Sequence, residues 1–309
     1  MTLSIIVCTY NPGMGRLEAA LRGLGCQTLA ISDWELIVVD NASVPPVSKE
    51  WCEERAGRSV TFVSEATPGL THARLAGIKE SASDLLIFCD DDNVLAPDYL
   101  ELAQRLMNKH MQVGVAGGKS LPFYLSEPPP WFRDDLAPLG CRDFGNVARV
   151  VSGRDFQLKH RYPEYSPIGA GMIFRKSSMN AWLKTAGNSR ISDRKGKSLS
   201  SAGDCDMVLH ALEAGYDAAY WPELVLEHLM PAERLTKAYL GALSRAAYRD
   251  FVRVLAIHGV CPWPPIPAWT VRLRTVKAWA SCKAWRGPVN WIHWQGSIGQ
   301  FEGRSLINR

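Results

Sequence analysis

Ser83-Asp84-Leu85-Leu86-Ile87-Phe88-Cys89-Asp90-Asp91-Asp92-Asn93 is the stretch on which the reading of this chain turns. A short apolar run closed by polar residues reads as a buried strand in a sheet covered on both faces. It ends in three adjacent carboxylates, which repel one another and raise one another's pKa. A hard divalent cation relieves that repulsion, and oxygen ligands suit Mg²⁺ or Mn²⁺. In open α/β sheets the ligand crevice also lies at the carboxyl ends of the strands. The plainer alternative is an acidic turn capping a helix that begins near Pro97, because Asp and Asn favour turns and N-caps.

Outward from this stretch the chain alternates. Upstream, Leu3 to Thr9 (LSIIVCT), Trp34 to Asp40 (WELIVVD) and Val60 to Ser64 read as strands. Helical segments separate them: one carrying Leu17, Leu21 and Leu24, then Lys49 to Ala56 and Leu70 to Ser81. Downstream, Tyr99 to Lys109 is helical and Val113 to Gly118 forms a fifth strand. Strands alternating with helices at this spacing predict an α/β fold with a mostly parallel, Rossmann-like central sheet flanked by helices. A dinucleotide fingerprint is absent: Gly13-Met14-Gly15 follows the first strand, but Glu18 stands where the third glycine belongs. No Walker A sequence occurs either.

Residues 119–166, with Pro128-Pro129-Pro130-Trp131-Phe132, read as an irregular excursion of the kind that forms lids or binding loops. Ile168 to Arg175 is a strand entered through Gly169 and Gly171, which serve either close approach of another molecule or a bend. Asn188 to Ala202 is polar, basic and Gly/Ser-rich, a candidate mobile loop. Gly203-Asp204-Cys205-Asp206 follows, with Asp206 suited to N-capping a helix from Met207 to Ala214. A strand from Asp217 to Trp221 then turns at Pro222-Glu223 into Leu224 to His228.

The formal charge of +4 is unevenly spread. From Arg234 onward 12 Lys/Arg face 2 Asp/Glu, a net of +10, which leaves −6 on the first 233 residues. The eight cysteines are scattered without Cys-x-x-Cys pairs or zinc-ligand spacing, so a reducing cytoplasm is the expected setting. The chain opens on Thr2-Leu-Ser-Ile without a signal-peptide pattern, and no apolar run is long enough to span a membrane.

Five segments, in this order and spacing, resemble family 2 glycosyltransferases: Ser4 to Asn11 (SIIVCTYN), Val38 to Ser43 (VVDNAS), Gly69-x-x-x-Ala73-Arg74, Asp90-Asp91-Asp92 and Gly203-Asp-Cys-Asp206. The resemblance covers roughly residues 1 to 235. It implies a GT-A fold and inverting transfer of a sugar from a nucleoside diphosphate donor, with a UDP-sugar favoured. By this resemblance Thr9, Tyr10 and Asn11 line the base pocket, Asp40 accepts a hydrogen bond from the base, and Arg74 approaches the diphosphate. Asp90 holds the ribose or the cation, Asp92 binds Mg²⁺ or Mn²⁺, and Asp91 contacts the sugar. His228 joins the metal or the diphosphate, since imidazole can serve Mn²⁺. Asp204 is the expected catalytic base, kept ionised by its helix N-terminus. The other histidines (72, 110, 160, 210, 258 and 293) lie in no comparable setting. Residues 1–234 are then the catalytic domain, 1–118 its nucleotide-binding half and 119–234 its acceptor-binding half.

Residues 235–309 form a basic, Trp-rich helical extension, with helical periodicity over 235–257 and 268–285 around the break Cys261-Pro-Trp-Pro-Pro-Ile-Pro267. Interleaved rings and cations suit an anionic membrane surface. The same rings could instead pack on the catalytic domain or on a second subunit. No nucleic-acid module accompanies the charge. The expectation is a cytoplasmic enzyme, peripheral at the inner face of the membrane, acting on a glycan or lipid-linked acceptor. A metal-dependent nucleotidyl- or phosphotransferase and a non-catalytic glycan-assembly partner are the other readings.

Overall fold

The computed structural model describes residues 2–186, 194, 199–200 and 202–307. Among the described residues nine strands form one sheet: β1 (Leu3–Thr9), β2 (Trp34–Asp40), β3 (Thr61–Ser64), β4 (Leu85–Asp90), β5 (Asn93–Leu95), β6 (Val113–Tyr124), β7 (Arg149–Val151), β8 (Met172–Arg175) and β9 (Asp217–Met230). Their order is β3-β2-β1-β4-β8-β6-β9-β5, with β7 added on β9. Pairing is parallel from β3 through β4 and between β6 and β9, and antiparallel at β8, β5 and β7.

The chain starts in mid-sheet at β1, winds outward through β2 and β3, then returns to the other side of β1 as β4. The strand order therefore reverses between β1 and β4, and a doubly wound sheet opens its ligand crevice at that point, beyond the carboxyl ends of the strands. Both faces of these strands are covered. Leu3, Ile5, Val7, Leu85 and Ile87 pack with Leu17, Leu21 and Leu100, from α1 (Met14–Gly25) and α4 (Tyr99–Lys109). Ile6, Ile37, Val39 and Phe88 face α3 (Leu70–Glu80) and α7 (Gly203–Glu213). Burial on two faces explains why these strands are apolar runs rather than alternating ones.

Several boundaries differ from expectation: β8 starts at Met172 instead of Ile168, and three others differ for identifiable reasons. The strand predicted to stop at Gly118 continues to Tyr124. Pro222-Glu223 does not end its strand: β9 runs unbroken in direction from Asp217 to Met230, with the register jumping from Gly117↔Tyr220 to Lys119↔Val225. The four residues Trp221 to Leu224 bulge past Gly118, so Pro222 needs no ladder N–H. A Cβ on Gly118 would stand 2.0 Å from the Leu224 carbonyl oxygen, which is why glycine occupies the crossing. Finally, α7 begins at Gly203, four residues early, and Asp206 is no cap. Its buried carboxylate accepts from Trp182 Nε1 (3.1 Å).

Elements that the sequence did not announce are β5, β7, α5 (Gly153–Lys159), α6 (Asn180–Thr185) and α10 (Pro288–Ser305). The excursion over 119–166 thus contains regular structure, and most of the loop expected at 188–202 lies outside the described residues. α2 (Lys49–Ala56) has the expected bounds. At the C-terminal end α8 (Lys237–Ile257), α9 (Thr270–Ser281) and α10 pack together. Close contact of α8 with α10 depends on glycines: a Cβ on Gly299 would lie 2.0 Å from the Arg245 carbonyl oxygen. Val254 and Leu255 of α8 join the core beside α7. The tryptophans divide: Trp263 and Trp291 pack inward, whereas Trp269, Trp279 and Trp285 are exposed.

Candidate functional site

A cleft of about 1380 Å³ opens where the strand order reverses. Thr9, Tyr10, Asn11, Arg74, Asp90, Asp91, Asp92, Asp204 and His228 all line it. Of the residues singled out from sequence, Asp40 alone is absent from its walls. The buried Asp40 carboxylate accepts the backbone N–H groups of Ser43 (3.2 Å) and Val47 (3.1 Å), which turns it toward the 41–47 loop instead of the cleft. Its neighbour Asn41 lines the cleft and accepts from the Gly69 N–H (2.7 Å), so the 41–47 loop braces the start of α3.

The end of β1 leads directly into the site. Asn11 adopts a left-handed conformation (φ 45°), which asparagine tolerates, and its Oδ1 accepts from the Val44 N–H (2.8 Å). One residue before the turn, Thr9 Oγ1 donates to Asp91 Oδ2 (2.5 Å) across the β1–β4 boundary. Tyr10 stays exposed at the rim.

The three aspartates diverge in role because β4 stops abruptly and β5 pairs with β9. That pairing sets Asn93 opposite His228, and Asp92 accepts the Leu229 N–H at its carbonyl (2.8 Å). Asp92 Oδ1 consequently lies 3.3 Å from His228 Nε2, and Arg234 Nη2 approaches Asp92 Oδ2 to 2.7 Å. Arg234 Nη1 is also 3.1 Å from His228 Nε2. Burial works against the charged carboxylate of Asp92, but His228 and Arg234 outweigh it and hold the group well below the usual carboxylate range. Burial would lower the His228 pKa, yet the Asp92 charge raises it. Asp91 is the opposite case: burial and the charge of Asp92 push its carboxyl up to about 7.

Carboxylate oxygens and one imidazole are a donor set suited to Mn²⁺, with Mg²⁺ served by the oxygens alone. Burial first, and then the charges of Asp92 and Asp90, raise Asp91; a cation would relieve the charge contribution. Of the residues expected to hold a cation, Asp92 and His228 stand together, with Arg234 also on Asp92.

Asp204 stands in the first turn of α7. Its Oδ2 accepts the Gly169 N–H (3.1 Å) and its Oδ1 the Cys205 N–H (2.8 Å). The buried Arg74 guanidinium lies over the Phe88 ring, 5.4 Å from its centroid. A Cβ on Gly169 would come within 2.9 Å of Arg74 Nη2 and 4.0 Å of Asp204 Oδ2, so Gly169 leaves room for both charged groups. The close approach at this glycine is by the chain's own Arg74 and Asp204 side chains, a role that the sequence reading did not include.

Arg234 went unremarked in the sequence, although the spacing His-x₅-Arg places it one short turn after β9. A second cluster was also unforeseen. Asp206, His210 and His258 have ligand atoms within 4.8 Å of one another, away from the cleft wall. His258 donates between Asp206 (2.9 Å) and Glu213 (2.7 Å), so the setting of His210 and His258 is far from featureless. The far end of the cleft, by contrast, is apolar: Tyr248, Phe251 and Leu255 of α8 line it with Val260 and Trp263. All eight cysteines are free thiols.

An N-acetylglucosaminyltransferase of Mesorhizobium japonicum is 25% identical over 237 residues, covering 74% of this chain and 52% of that protein. The succinoglycan biosynthesis protein ExoW of Rhizobium meliloti is 30% identical over 113 residues, 35% of this chain and 34% of that one. The chain therefore spans only a third to about half the length of these curated relatives. Among solved structures, the mannosyltransferase PcManGT of Pyrobaculum calidifontis, in complex with GDP-Man and Mn²⁺, matches with a TM-score of 0.56 at 16% identity. That match covers 99% of this chain and 87% of the other. S. aureus TarS 1–349 in complex with UDP-GlcNAc matches with a TM-score of 0.54 at 14% identity, over 97% and 90%. Identities this low speak for the fold, which is the GT-A arrangement expected from sequence. The model of Glycosyl transferase family 2 matches residues 4–179, more than half of the chain and the part that carries the cleft from Thr9 to the Asp90–Asp92 run, so the chain belongs to that family.

Proposed function

We propose that the protein transfers a sugar from a nucleoside diphosphate sugar to an acceptor hydroxyl, with inversion at the anomeric carbon. The observation that carries this reading is that one cleft holds both the Asp90–Asp92 run, with His228 and Arg234 against Asp92, and Asp204 at the start of α7. Thr9, Tyr10 and Asn11 receive the nucleotide at the end of β1, and Asp90 takes the ribose or the cation. Asp91 is the candidate contact to the sugar. Asp92 and His228 hold Mg²⁺ or Mn²⁺, and Arg74 and Arg234 face the diphosphate. A bound divalent cation supplies Lewis-acid stabilisation to a departing diphosphate.

Asp204 takes the proton of the acceptor hydroxyl as that oxygen forms its bond to the anomeric carbon and the bond to the diphosphate oxygen breaks. The hydrogen bonds from Gly169 and Cys205 fix the carboxylate without protonating it. A UDP-sugar is the donor to try first. UDP-GlcNAc in the TarS structure supports it, and GDP-Man with Mn²⁺ in PcManGT makes a GDP-sugar the natural comparison. The apolar end of the cleft suits an acceptor with an apolar or ring-stacking part, a glycan or a lipid-linked saccharide. ExoW as a relative supports polysaccharide or surface glycan assembly as the setting. Acting on such an acceptor, the protein would work at the inner face of the membrane.

Donor binding tests the reading. UDP and GDP, with Mn²⁺, Mg²⁺ or chelator, are titrated against the full chain and followed by melting temperature. At about 100 times its Kd a ligand stabilises by roughly 2.7 kcal/mol. One diphosphate that stabilises in a metal-dependent way, lost on Asp92→Ala, supports the proposal. Release of pyrophosphate instead of nucleoside diphosphate during turnover would replace glycosyl transfer by nucleotidyl transfer.

A further inference from the structure

We propose that the outer face of α9 is a membrane-docking surface that seats the protein on an anionic lipid bilayer. The inference goes beyond glycosyl transfer and does not depend on it. No residue of α9 is buried. Trp269, Leu273 and Val276, spaced four and three residues apart, share one face, and they are 74%, 64% and 69% exposed. Trp279 (43%) and Trp285 (57%) extend the patch, with their ring centroids 4.6 Å apart. The opposite face, with Val271, Arg274, Thr275 and Ala278, is half-buried toward α10, where Trp294 Nε1 donates to the Thr275 carbonyl (3.0 Å). The orientation is thus set by packing: the helix holds its large apolar side chains outward.

Exposed apolar patches of this kind mark a partner on an otherwise soluble surface. The charge around the patch selects which partner. Between Asp250 and Glu302 the chain has no acidic residue, while Arg253, Arg272, Arg274, Lys277, Lys283 and Arg286 are basic. Arg272, Lys277, Lys283 and Arg286 are exposed beside the rings. A second copy of this surface would bring like charges together, whereas an anionic bilayer matches both the charge and the apolar stripe. Tryptophan suits the boundary itself, with its ring among acyl chains and its N–H among headgroups. Twelve residues of helix span only about 18 Å, and no helix among the described residues is long and apolar enough to cross a membrane. α9 therefore lies in the interface plane. Trp263 lines the apolar end of the cleft and Trp269 begins the docking face six residues later, a reach of at most about 22 Å. Docking holds that end of the cleft near the bilayer surface.

The test is flotation of the full chain with phosphatidylcholine vesicles, with and without phosphatidylglycerol. The wild type is expected to float only with phosphatidylglycerol vesicles, and less as salt rises. The triple variant Trp269→Ser/Leu273→Ser/Val276→Ser is expected to bind at least about tenfold more weakly, and Arg272→Gln/Lys277→Gln/Lys283→Gln about a hundredfold more weakly. Both variants should keep the wild-type melting temperature, because the substituted side chains are exposed. Failure of the wild type to float overturns the proposal, as does equal flotation of all three proteins. Light scattering provides the remaining arm: a dimer that the serine variant abolishes, without vesicle binding, assigns the face to a second copy and overturns the lipid assignment.

Discussion

Arg234 Nη2 stands 2.7 Å from Asp92 Oδ2, so the carboxylate proposed to bind a metal cation already carries a protein cation. With His228 on the other oxygen, the two basic side chains balance a buried charge that would otherwise be costly to desolvate. On the proposed function, Arg234 would both compete with the metal for Asp92 and meet the diphosphate once the metal is in place. Two opposite consequences follow from removing it.

Arg234→Ala should bind Mn²⁺ more tightly, by about tenfold, since a charge-assisted hydrogen bond on Asp92 is worth roughly 1.5–3 kcal/mol. Turnover should nevertheless fall, because the leaving diphosphate loses a cation. Calorimetric titration with Mn²⁺ and measurement of kcat on the same variant check the pair of outcomes. Weaker Mn²⁺ binding would show that Arg234 supports the site through structure instead.

Asp204→Asn should lower kcat by about 10²–10⁴, the range for loss of a general base. Affinity for the nucleoside diphosphate should stay within about twofold, because the Asp204 carboxylate bonds to the Gly169 and Cys205 N–H groups and not to the Asp90–Asp92 run. The amide retains the size of the carboxylate and its oxygen can still accept from the Gly169 N–H. Parallel kcat and Kd measurements separate a proton-transfer role from a binding one.

His258 predicts a pH-dependent contribution to stability. Burial alone would lower its pKa, but hydrogen bonds to Asp206 and Glu213 raise it from 6.5 to about 9. A folded pKa above the unfolded one means that the stabilisation is fully present below pH 6.5 and is lost as pH rises through 9. The melting temperature of wild type should therefore fall more between pH 6.5 and 9.5 than that of His258→Gln. Identical slopes would remove the linkage.

Two glycine substitutions should have opposite signs. Gly299→Ala drives a methyl group to 2.0 Å from the Arg245 carbonyl oxygen, so α8 and α10 must separate. Overpacking of this kind costs about 1–3 kcal/mol, and the melting temperature should drop by several degrees at about 2–4 °C per kcal/mol. Gly15→Ala, inside α1 with no atom within 4 Å of the new methyl, should stabilise by about 0.4–1 kcal/mol. Thermal denaturation of the two proteins checks both.

Much of the fold was legible because local chemistry carries it. Two-sided burial writes apolar runs at β1, β2 and β4, and α2 and α4 have the bounds expected from sequence. The strand missed at 93–95 is three residues long and exists only because β9 lies beside it. Pro222 reads as a stop locally, and only the bulge past Gly118 lets the strand continue. Among the site residues, Thr9, Tyr10, Asn11, Asp90, Asp91 and Asp92 lie at strand ends, where position in the chain already implies position at the crevice.

The sequence by itself determined the α/β alternation, the carboxylate run at the end of a buried strand, and the basic, acid-free tail. These follow from side-chain periodicity and charge, which are properties of neighbours along the chain. Only the tertiary structure decided that Asp40 turns away from the cleft, that Arg234 returns to Asp92, that His258 bridges Asp206 and Glu213, and that α9 keeps its tryptophans outward. Each of these depends on which segments, tens of residues apart, share a surface. Orientation and pairing across such distances are set by packing and by the satisfaction of buried polar groups, not by local pattern.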